Sequence, residues 1–103
     1  MLTGTIPDDV GNLAQIGLLD LSYNDIGGGI PDSIGRLSRL TTLYLSDNRL
    51  SGEIPEGIMN LPVLKLELES FGFNCLTVSD SKLLAFMNTN LPGWNVTQDK
   101  DCG

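Results

Sequence analysis

The chain has 103 residues, with 13 acidic and 6 basic side chains and no histidine, so its formal net charge is −7. This length suits one domain, and no run of apolar residues is long enough to cross a membrane. The lack of histidine excludes an imidazole base and histidine-based metal sites, and so acidic a surface repels nucleic acid. We predict no enzyme activity and no cofactor.

The strongest pattern is a repeat of 24 residues whose units begin at Ile6, Ile30 and Ile54. Apolar residues recur at fixed offsets, and asparagine recurs at Asn24 and Asn48. A period of roughly 20 to 29 residues carrying Leu-x-x-Leu-x-Leu-x-x-Asn-x-Leu is typical of a leucine-rich-repeat solenoid. We predict this α/β fold, with parallel strands on the concave face, short helical or 3₁₀ turns on the convex side and a helical C-terminal cap.

Residues 18–22 and 42–46 alternate apolar and polar side chains, which predicts two half-buried strands paired in parallel. Asn24 and Asn48 follow these strands. An inward amide at this corner can offer both a donor and an acceptor to backbone groups that the turn leaves unpaired. We interpret both asparagines as structural.

The second half of each unit carries Leu/Ile-x-Gly-x-Ile-Pro, at residues 2–7, 26–31 and 50–55. This motif resembles the plant-type leucine-rich repeat found in receptor-like kinases, receptor-like proteins and polygalacturonase inhibitors, and the resemblance covers residues 2 to about 70. It implies a module that binds a protein or peptide. Glycine permits a tight bend here, and proline ends the extended segment before a short helical turn.

The third unit breaks the regular spacing, and two alignments remain open. If one residue is skipped, Leu66 and Leu68 face the core and Phe71 takes the asparagine position. If two residues are inserted, Asn74 becomes the corner amide and Leu76 follows it. The sequence does not decide between them.

Residues 1–74 are predicted to form about three repeats, and residues 75–103 a capping segment. Ser79 or Asp80 can begin a helix with apolar residues at three-and-four spacing, and Pro92 with Gly93 ends it. These apolar residues are Leu83, Leu84, Phe86, Met87 and Leu91.

The end of the chain resembles the C-terminal caps of secreted leucine-rich-repeat proteins. The residues that carry this resemblance are Cys75, Leu76, Trp94 and Cys102. The likeness implies a Cys75–Cys102 disulfide and an extracellular, secreted or ectodomain location; the alternative is two free thiols in a cytosolic protein. Trp94 is interpreted as a lid over the last coil. Residues 95–97 fit the N-glycosylation pattern, with Asn95 as the acceptor.

The predicted partner surface is the outward side of the concave strands, where stacking about 4.8 Å apart sets residues in rows. In the third repeat, where the placement depends on which alignment holds, the rows set Glu67 beside Tyr44, Glu69 beside Ser46 and Ser70 beside Asp47. Mixed acidic and aromatic side chains favour a basic or peptide-like partner, whereas the alternative is that the charge only keeps the surface soluble. The predicted contact residues are Leu18, Asp20, Ser22, Tyr23, Thr42, Tyr44, Ser46, Asp47, Glu67 and Glu69.

Two other functions remain open, namely inhibition of a secreted cell-wall-degrading enzyme and a structural role in capping a longer array. The sequence starts inside a repeat, so the first coil is expected to present apolar residues at an uncapped end. We therefore expect the chain to be a fragment of a longer array and, when isolated, to form a homodimer through the N-terminal coil.

Overall fold

A computed structural model of the chain describes residues 1–98. Its strands stack in two parallel sheets, which confirms the predicted solenoid. One sheet pairs β2 (Leu18–Asp20) with β4 (Thr42–Tyr44). The other has, in order, β1 (Thr3–Thr5), β3 (Asp25–Gly28), β5 (Arg49–Glu53) and β6 (Cys75–Thr77).

The predicted short turns on the convex side are confirmed as 3₁₀ turns. They span Asp8–Asn12, Asp32–Arg36 and Glu56–Asn60. A proline precedes each one, and its ring fixes the backbone at the point where the chain leaves the sheet. Each turn also begins with an acidic residue, which suits the unpaired N–H groups there.

Apolar residues of all three repeats form one column between the sheets and the turns. Burial is most complete in the middle repeat, where Ile34, Leu43 and Leu50 have no exposed surface, because a coil covers each side of it. The buried apolar residues are Ile6, Val10, Ile26, Ile30, Ile34, Leu37, Leu40, Leu43, Leu45, Leu50, Ile54, Ile58, Leu61, Phe71, Leu76, Leu83, Met87 and Trp94. Stacking of coils therefore builds the core.

The corner asparagines join neighbouring coils through their side-chain amides. Asn48 Oδ1 accepts from the Ile26 N–H at 3.0 Å, and its Nδ2 donates to the Leu21 carbonyl at 2.8 Å. Both partners belong to the preceding coil. The Nδ2 group also donates to the Leu45 carbonyl of its own coil, at 3.2 Å, so one amide satisfies several backbone groups at the bend.

The third repeat follows the alignment with two inserted residues. Asn74 Oδ1 accepts from the Leu50 N–H at 3.0 Å, and its Nδ2 donates to the Leu45 carbonyl at 2.9 Å, repeating the Asn48 pattern one coil further on. Phe71 is fully buried three residues earlier and fills a core position. The insertion falls in a short helix, α1 (Leu68–Phe71), which replaces the expected third concave strand. Because α1 bends the chain here, Ser70 does not lie beside Asp47, and the predicted row that paired these two residues is wrong.

A fourth amide continues the corner pattern, and the sequence analysis missed it. Gln98 Oε1 accepts from the Leu76 N–H at 2.8 Å, and its Nε2 donates to the Phe71 carbonyl at 3.0 Å. Asn74 forms the corresponding pair of hydrogen bonds to the coil that precedes it. Gln98 lies 24 residues after Asn74, so the repeat period was the signal that could have found it.

The predicted cap helix is confirmed as α2 (Ser81–Asn90), with the Asp80 carboxylate accepting from the Leu83 N–H at 2.9 Å. Leu83 and Met87 are buried, whereas Leu84, which the sequence also includes among the apolar residues of this helix, is exposed. The apolar face of α2 is too narrow to bury both Leu83 and the adjacent Leu84. The chain then turns through Gly93 at φ 80°.

A 3₁₀ turn, Trp94–Thr97, closes the described chain, and the indole N–H of Trp94 donates to Asn88 Oδ1 at 3.1 Å. Cys102 lies outside the described residues, so the Cys75–Cys102 disulfide stays a prediction. Among the helices within residues 1–98, none combines the length and the apolar character needed to span a bilayer.

Candidate functional site

The outward side of β2 and β4, together with the residues that follow each strand, forms the concave face. The predicted strand register is confirmed, since Leu18 pairs with Thr42 and Asp20 with Tyr44. Inward Leu43 is buried, while the side chains on the other side of the pleat remain at least partly exposed. Alternation along two short strands therefore sets a row of polar and aromatic groups toward solvent.

Hydrogen bonds from Ser22 fix the Asp20 carboxylate on this face. Its Oδ1 accepts from the Ser22 N–H at 3.0 Å and from the Ser22 hydroxyl at 2.5 Å. Both hydrogen bonds stabilise the ionised carboxylate, with the hydroxyl contributing most, and they hold the pKa of Asp20 below its ordinary value. Asp20 is therefore a fixed negative charge with part of its acceptor capacity still open to solvent.

Tyr44 and Glu67 form the centre of the face. The Tyr44 hydroxyl donates to Glu67 Oε2 at 2.9 Å, and this bond raises the pKa of Tyr44. Burial and the negative charges of Glu67, Glu69 and Asp20 raise it further. The phenol therefore remains a neutral donor, surrounded by carboxylates.

The inserted helix α1 places Glu67 at this point. The Glu67 N–H donates to Ser70 Oγ at 3.0 Å, and the Ser70 N–H donates to the Glu67 carbonyl at 2.9 Å, so the two residues close the first turn of α1 reciprocally. Glu67 lies directly before α1, and its carboxylate reaches Tyr44, the neighbour that the predicted row gave it, although the segment bends into a helix instead of continuing as a strand.

Ser46 does not belong to the accessible surface, contrary to its prediction as a contact residue. It is only 2% exposed, and its hydroxyl has no hydrogen-bond partner among the described residues. Its N–H donates to the Glu69 carbonyl at 3.0 Å, so the α1 segment lies against this position. A partner on the concave face cannot reach this hydroxyl.

Three outward residues occupy equivalent positions just before the corner amides. Tyr23, Asp47 and Phe73 have φ values of 56°, 59° and 59°. The Tyr23 N–H donates to the Ser46 carbonyl and the Asp47 N–H to the Gly72 carbonyl, both at 3.0 Å, which places the three in one row. Sequence reasoning missed Phe73 because its place in the row depends on the inserted residues.

A cavity of about 550 Å³ lies apart from the concave strands, between β5, the Glu56–Asn60 turn and α2. Its acidic lining residues are Asp32, Glu53, Glu56 and Asp80. Glu53 accepts from Thr77 and Ser79 and so holds the cap against the last repeat, whereas Asp80 caps α2 from within the cap. We interpret the cavity as part of the structural contact between the cap and the last repeat.

Comparison with protein families matches the Leucine Rich Repeat profile to residues 16–37 and 39–61. No curated protein sequence gives a significant match. Solved structures do match. The structure of the plant peptide hormone receptor RGFR1 in complex with RGF2 is 38% identical, with a TM-score of 0.68, over 74% of this chain and 12% of that one.

Two further structures show how widely this fold is used. The ectodomain of the receptor kinase GASSHO1/SCHENGEN3 from Arabidopsis thaliana, in complex with CASPARIAN STRIP INTEGRITY FACTOR 2, is 39% identical, with a TM-score of 0.66, over 72% of this chain and 9% of that one. A plant ice-binding protein is 38% identical, with a TM-score of 0.66, over 73% of this chain and 24% of that one. The chain thus spans a small part of each structure.

The chain carries plant-type leucine-rich repeats, and its repeat region is similar to the ectodomains of plant receptor kinases. Receptor ectodomains and an ice-binding protein share the fold at nearly equal identity, so the fold alone does not set the ligand. The kind of ligand must therefore be inferred from the residues on the concave face.

Proposed function

We propose that the chain is a non-catalytic recognition module that binds a positively charged peptide or protein segment on its concave face. The observation that carries this proposal is the group of carboxylates near Tyr44. Glu67 accepts the Tyr44 hydroxyl hydrogen bond at 2.9 Å, Asp20 is the strand partner of Tyr44, and the charge of Glu69 also acts on the Tyr44 phenol. Within residues 1–98 none of the three forms an ion pair, since the one salt bridge there joins Arg49 to Asp25. A cationic partner supplies the missing countercharge.

The tyrosines on the same face support a protein or peptide partner. The Tyr44 ring lies on this face with its hydroxyl held by a hydrogen bond to Glu67, and the Tyr23 side chain is 69% exposed. Tyrosine is enriched at interface hot spots because it is large, rigid and able to form a hydrogen bond at its tip. The receptor structures with bound RGF2 and CASPARIAN STRIP INTEGRITY FACTOR 2 provide the precedent on this fold.

Selection of peptides from a random display library on the immobilised chain tests the proposal. We expect the selected peptides to be rich in lysine and arginine, and their binding to weaken as salt increases. The double variant Asp20→Asn and Glu67→Gln keeps the side-chain shapes and should weaken binding about tenfold. Asp8→Asn with Glu56→Gln, on the convex turns, is the matched control and should leave binding unchanged.

Two results would overturn the proposal. One is a set of selected peptides with no excess of basic residues. The other is equal loss of affinity in the concave and convex double variants, because binding would then depend on net charge rather than on the concave face.

We further propose that the chain functions outside the cell, with residues 1–74 presenting the binding face and residues 75–103 closing its C-terminal end. A disulfide between Cys75 and Cys102 and a glycan on the exposed Asn95 fit that location. Intact-mass analysis of protein secreted from a plant or yeast host tests both. Two free thiols, or an unchanged mass after glycosidase treatment, would each refute the corresponding part.

A further inference from the structure

The row formed by Tyr23, Asp47 and Phe73 has a backbone that is unusual for these residues. Positive φ is cheap for glycine and tolerated by asparagine and aspartate, but it is unfavourable for bulky side chains, at roughly 1 to 2 kcal/mol per residue. Two of the three positions carry large aromatic residues at φ near 60°. Residues held in this region cluster at ligand clamps and other functional sites.

Neither aromatic side chain obtains its stabilisation from the core. Tyr23 is 69% exposed and Phe73 is 53% exposed, so both rings lie largely in solvent. The Asp47 carboxylate between them forms no hydrogen bond or ion pair with any other residue in the described part of the chain. The row therefore combines a left-handed backbone that recurs at the corner of each coil with two largely exposed aromatic rings and a carboxylate that no described residue neutralises.

The stacking of the coils sets the spacing of the row. Neighbouring positions of stacked strands lie about 4.8 Å apart, so Tyr23 and Phe73 are separated by about 10 Å with Asp47 midway. Similar φ values and equivalent hydrogen bonds between coils give the three residues the same backbone direction. Backbones about 10 Å apart leave room for one planar cation between the two side chains, and aromatic rings attract a cation within roughly 6 Å of the ring centroid.

We propose that Tyr23 and Phe73 clamp a guanidinium group of the partner between their rings, above the Asp47 carboxylate. Arginine fits better than lysine because its planar group can stack on aromatic faces and donate two hydrogen bonds to one carboxylate. This inference rests on the proposed function, and it assigns one arginine of the partner to one end of the concave face.

Titration of the isotope-labelled chain with acetyl-Gly-Arg-Gly-amide, followed by NMR, tests the clamp. We expect chemical-shift changes centred on Tyr23, Asp47 and Phe73, and upfield ring-current shifts of the arginine side-chain protons. The same peptide with citrulline in place of arginine is nearly identical in shape but uncharged. It should bind about tenfold more weakly, because the cation–π and ionic terms are both lost.

Matched variants separate the clamp from the rest of the molecule. Tyr23→Leu should weaken arginine binding two- to fivefold, whereas Phe86→Leu, on the cap helix α2, should not. Leucine at position 23 has a backbone preference like that of tyrosine, so the fold should tolerate it. Asp47→Asn is a second variant, because asparagine adopts this backbone readily, and it should also weaken binding.

Three results would overturn the clamp. The first is equal binding of the arginine and citrulline peptides. The second is a set of shifts centred on Asp20, Tyr44 and Glu67 with the Tyr23 and Phe73 signals unmoved, which would leave the proposed function intact. The third is no shift with the arginine peptide while library peptides still bind, which would again contradict only the clamp.

Discussion

At the scale of single residues, side-chain amides hold the coils in register. Asn24, Asn48, Asn74 and Gln98 each accept from a backbone N–H about two dozen residues earlier. The repeat predicted the first two. For Asn74 the sequence allows two alignments, which α1 resolves, and Gln98 departs from the pattern because glutamine replaces asparagine there.

Replacing Asn48 by leucine should destabilise the fold by about 2 to 3 kcal/mol, since the Ile26 N–H and the Leu21 carbonyl lose a shared partner. Asp47→Asn, the adjacent outward substitution, should change stability by less than about 0.5 kcal/mol. Urea denaturation measures both. Equal midpoints would show that the amide does not carry this stability.

Two buried serines offer a matched pair. Ser70 Oγ accepts from the Glu67 N–H, whereas Ser46 Oγ has no partner among the described residues. Ser70→Ala should therefore cost about 1 kcal/mol through loss of the α1 cap, while Ser46→Ala should be neutral or stabilising. Thermal denaturation of the two variants checks this. A larger loss for Ser46→Ala would mean that its hydroxyl is hydrogen-bonded in solution.

At the scale of elements, the sequence predicted the concave strands and convex turns but missed the second sheet. Leucine alternation in residues 18–22 and 42–46 is a clear strand pattern, and proline marks each 3₁₀ turn. The glycine-rich segments of β3 and β5 appeared instead to be bends. Their pairing depends on backbone hydrogen bonds between stacked coils, and such bonds leave little trace in side-chain pattern.

Glu53 links this second sheet to the cap. Its Oε1 accepts from the Ser79 N–H at 2.8 Å and from the Ser79 hydroxyl at 2.7 Å, and Oε2 accepts from Thr77 Oγ1 at 2.5 Å. These bonds, led by that from Thr77, lower the pKa of Glu53 from its ordinary 4.5. The ionised carboxylate is therefore the form that holds β5, β6 and the start of the cap together.

Acid should weaken this link. Because the folded-state pKa of Glu53 lies below the unfolded value, its stabilisation is complete above about pH 4.5 and is lost as pH falls through the folded-state pKa. Glu53→Gln should therefore be less stable than the parent at pH 7, and the difference should shrink in acid. Glu56→Gln is the control, and urea midpoints from pH 7 to pH 3 measure both. A difference between parent and Glu53→Gln that is independent of pH would contradict this account.

At the scale of the whole molecule, the repeat period was enough to predict the solenoid, because each repeat buries its leucines only against its neighbours. The site was less predictable. The register of β2 and β4 correctly set Asp20 beside Tyr44. The position of Phe73 and the burial of Ser46 followed from α1, whose four residues carry no repeat pattern.

The two ends of the solenoid differ in exposure. Leu2 is 56% exposed and Leu13 is 46% exposed on the first coil, whereas Leu76 near the other end is buried. We expect the isolated chain to dimerise through its first coil, which removes this apolar surface from water. Light scattering at high micromolar concentration should give twice the chain mass, and Leu2→Ser with Leu13→Ser should return it to a monomer. A parent chain that remains monomeric would contradict the expectation.

The most direct test of the central claim is to locate a selected basic peptide on the chain, by NMR cross-saturation from the bound peptide to the labelled protein. If the concave face is the recognition surface, saturation will reach Asp20, Tyr44 and Glu67 and will spare the outward residues of β3 and β5. Saturation of β3 and β5 with the concave residues unaffected would contradict it.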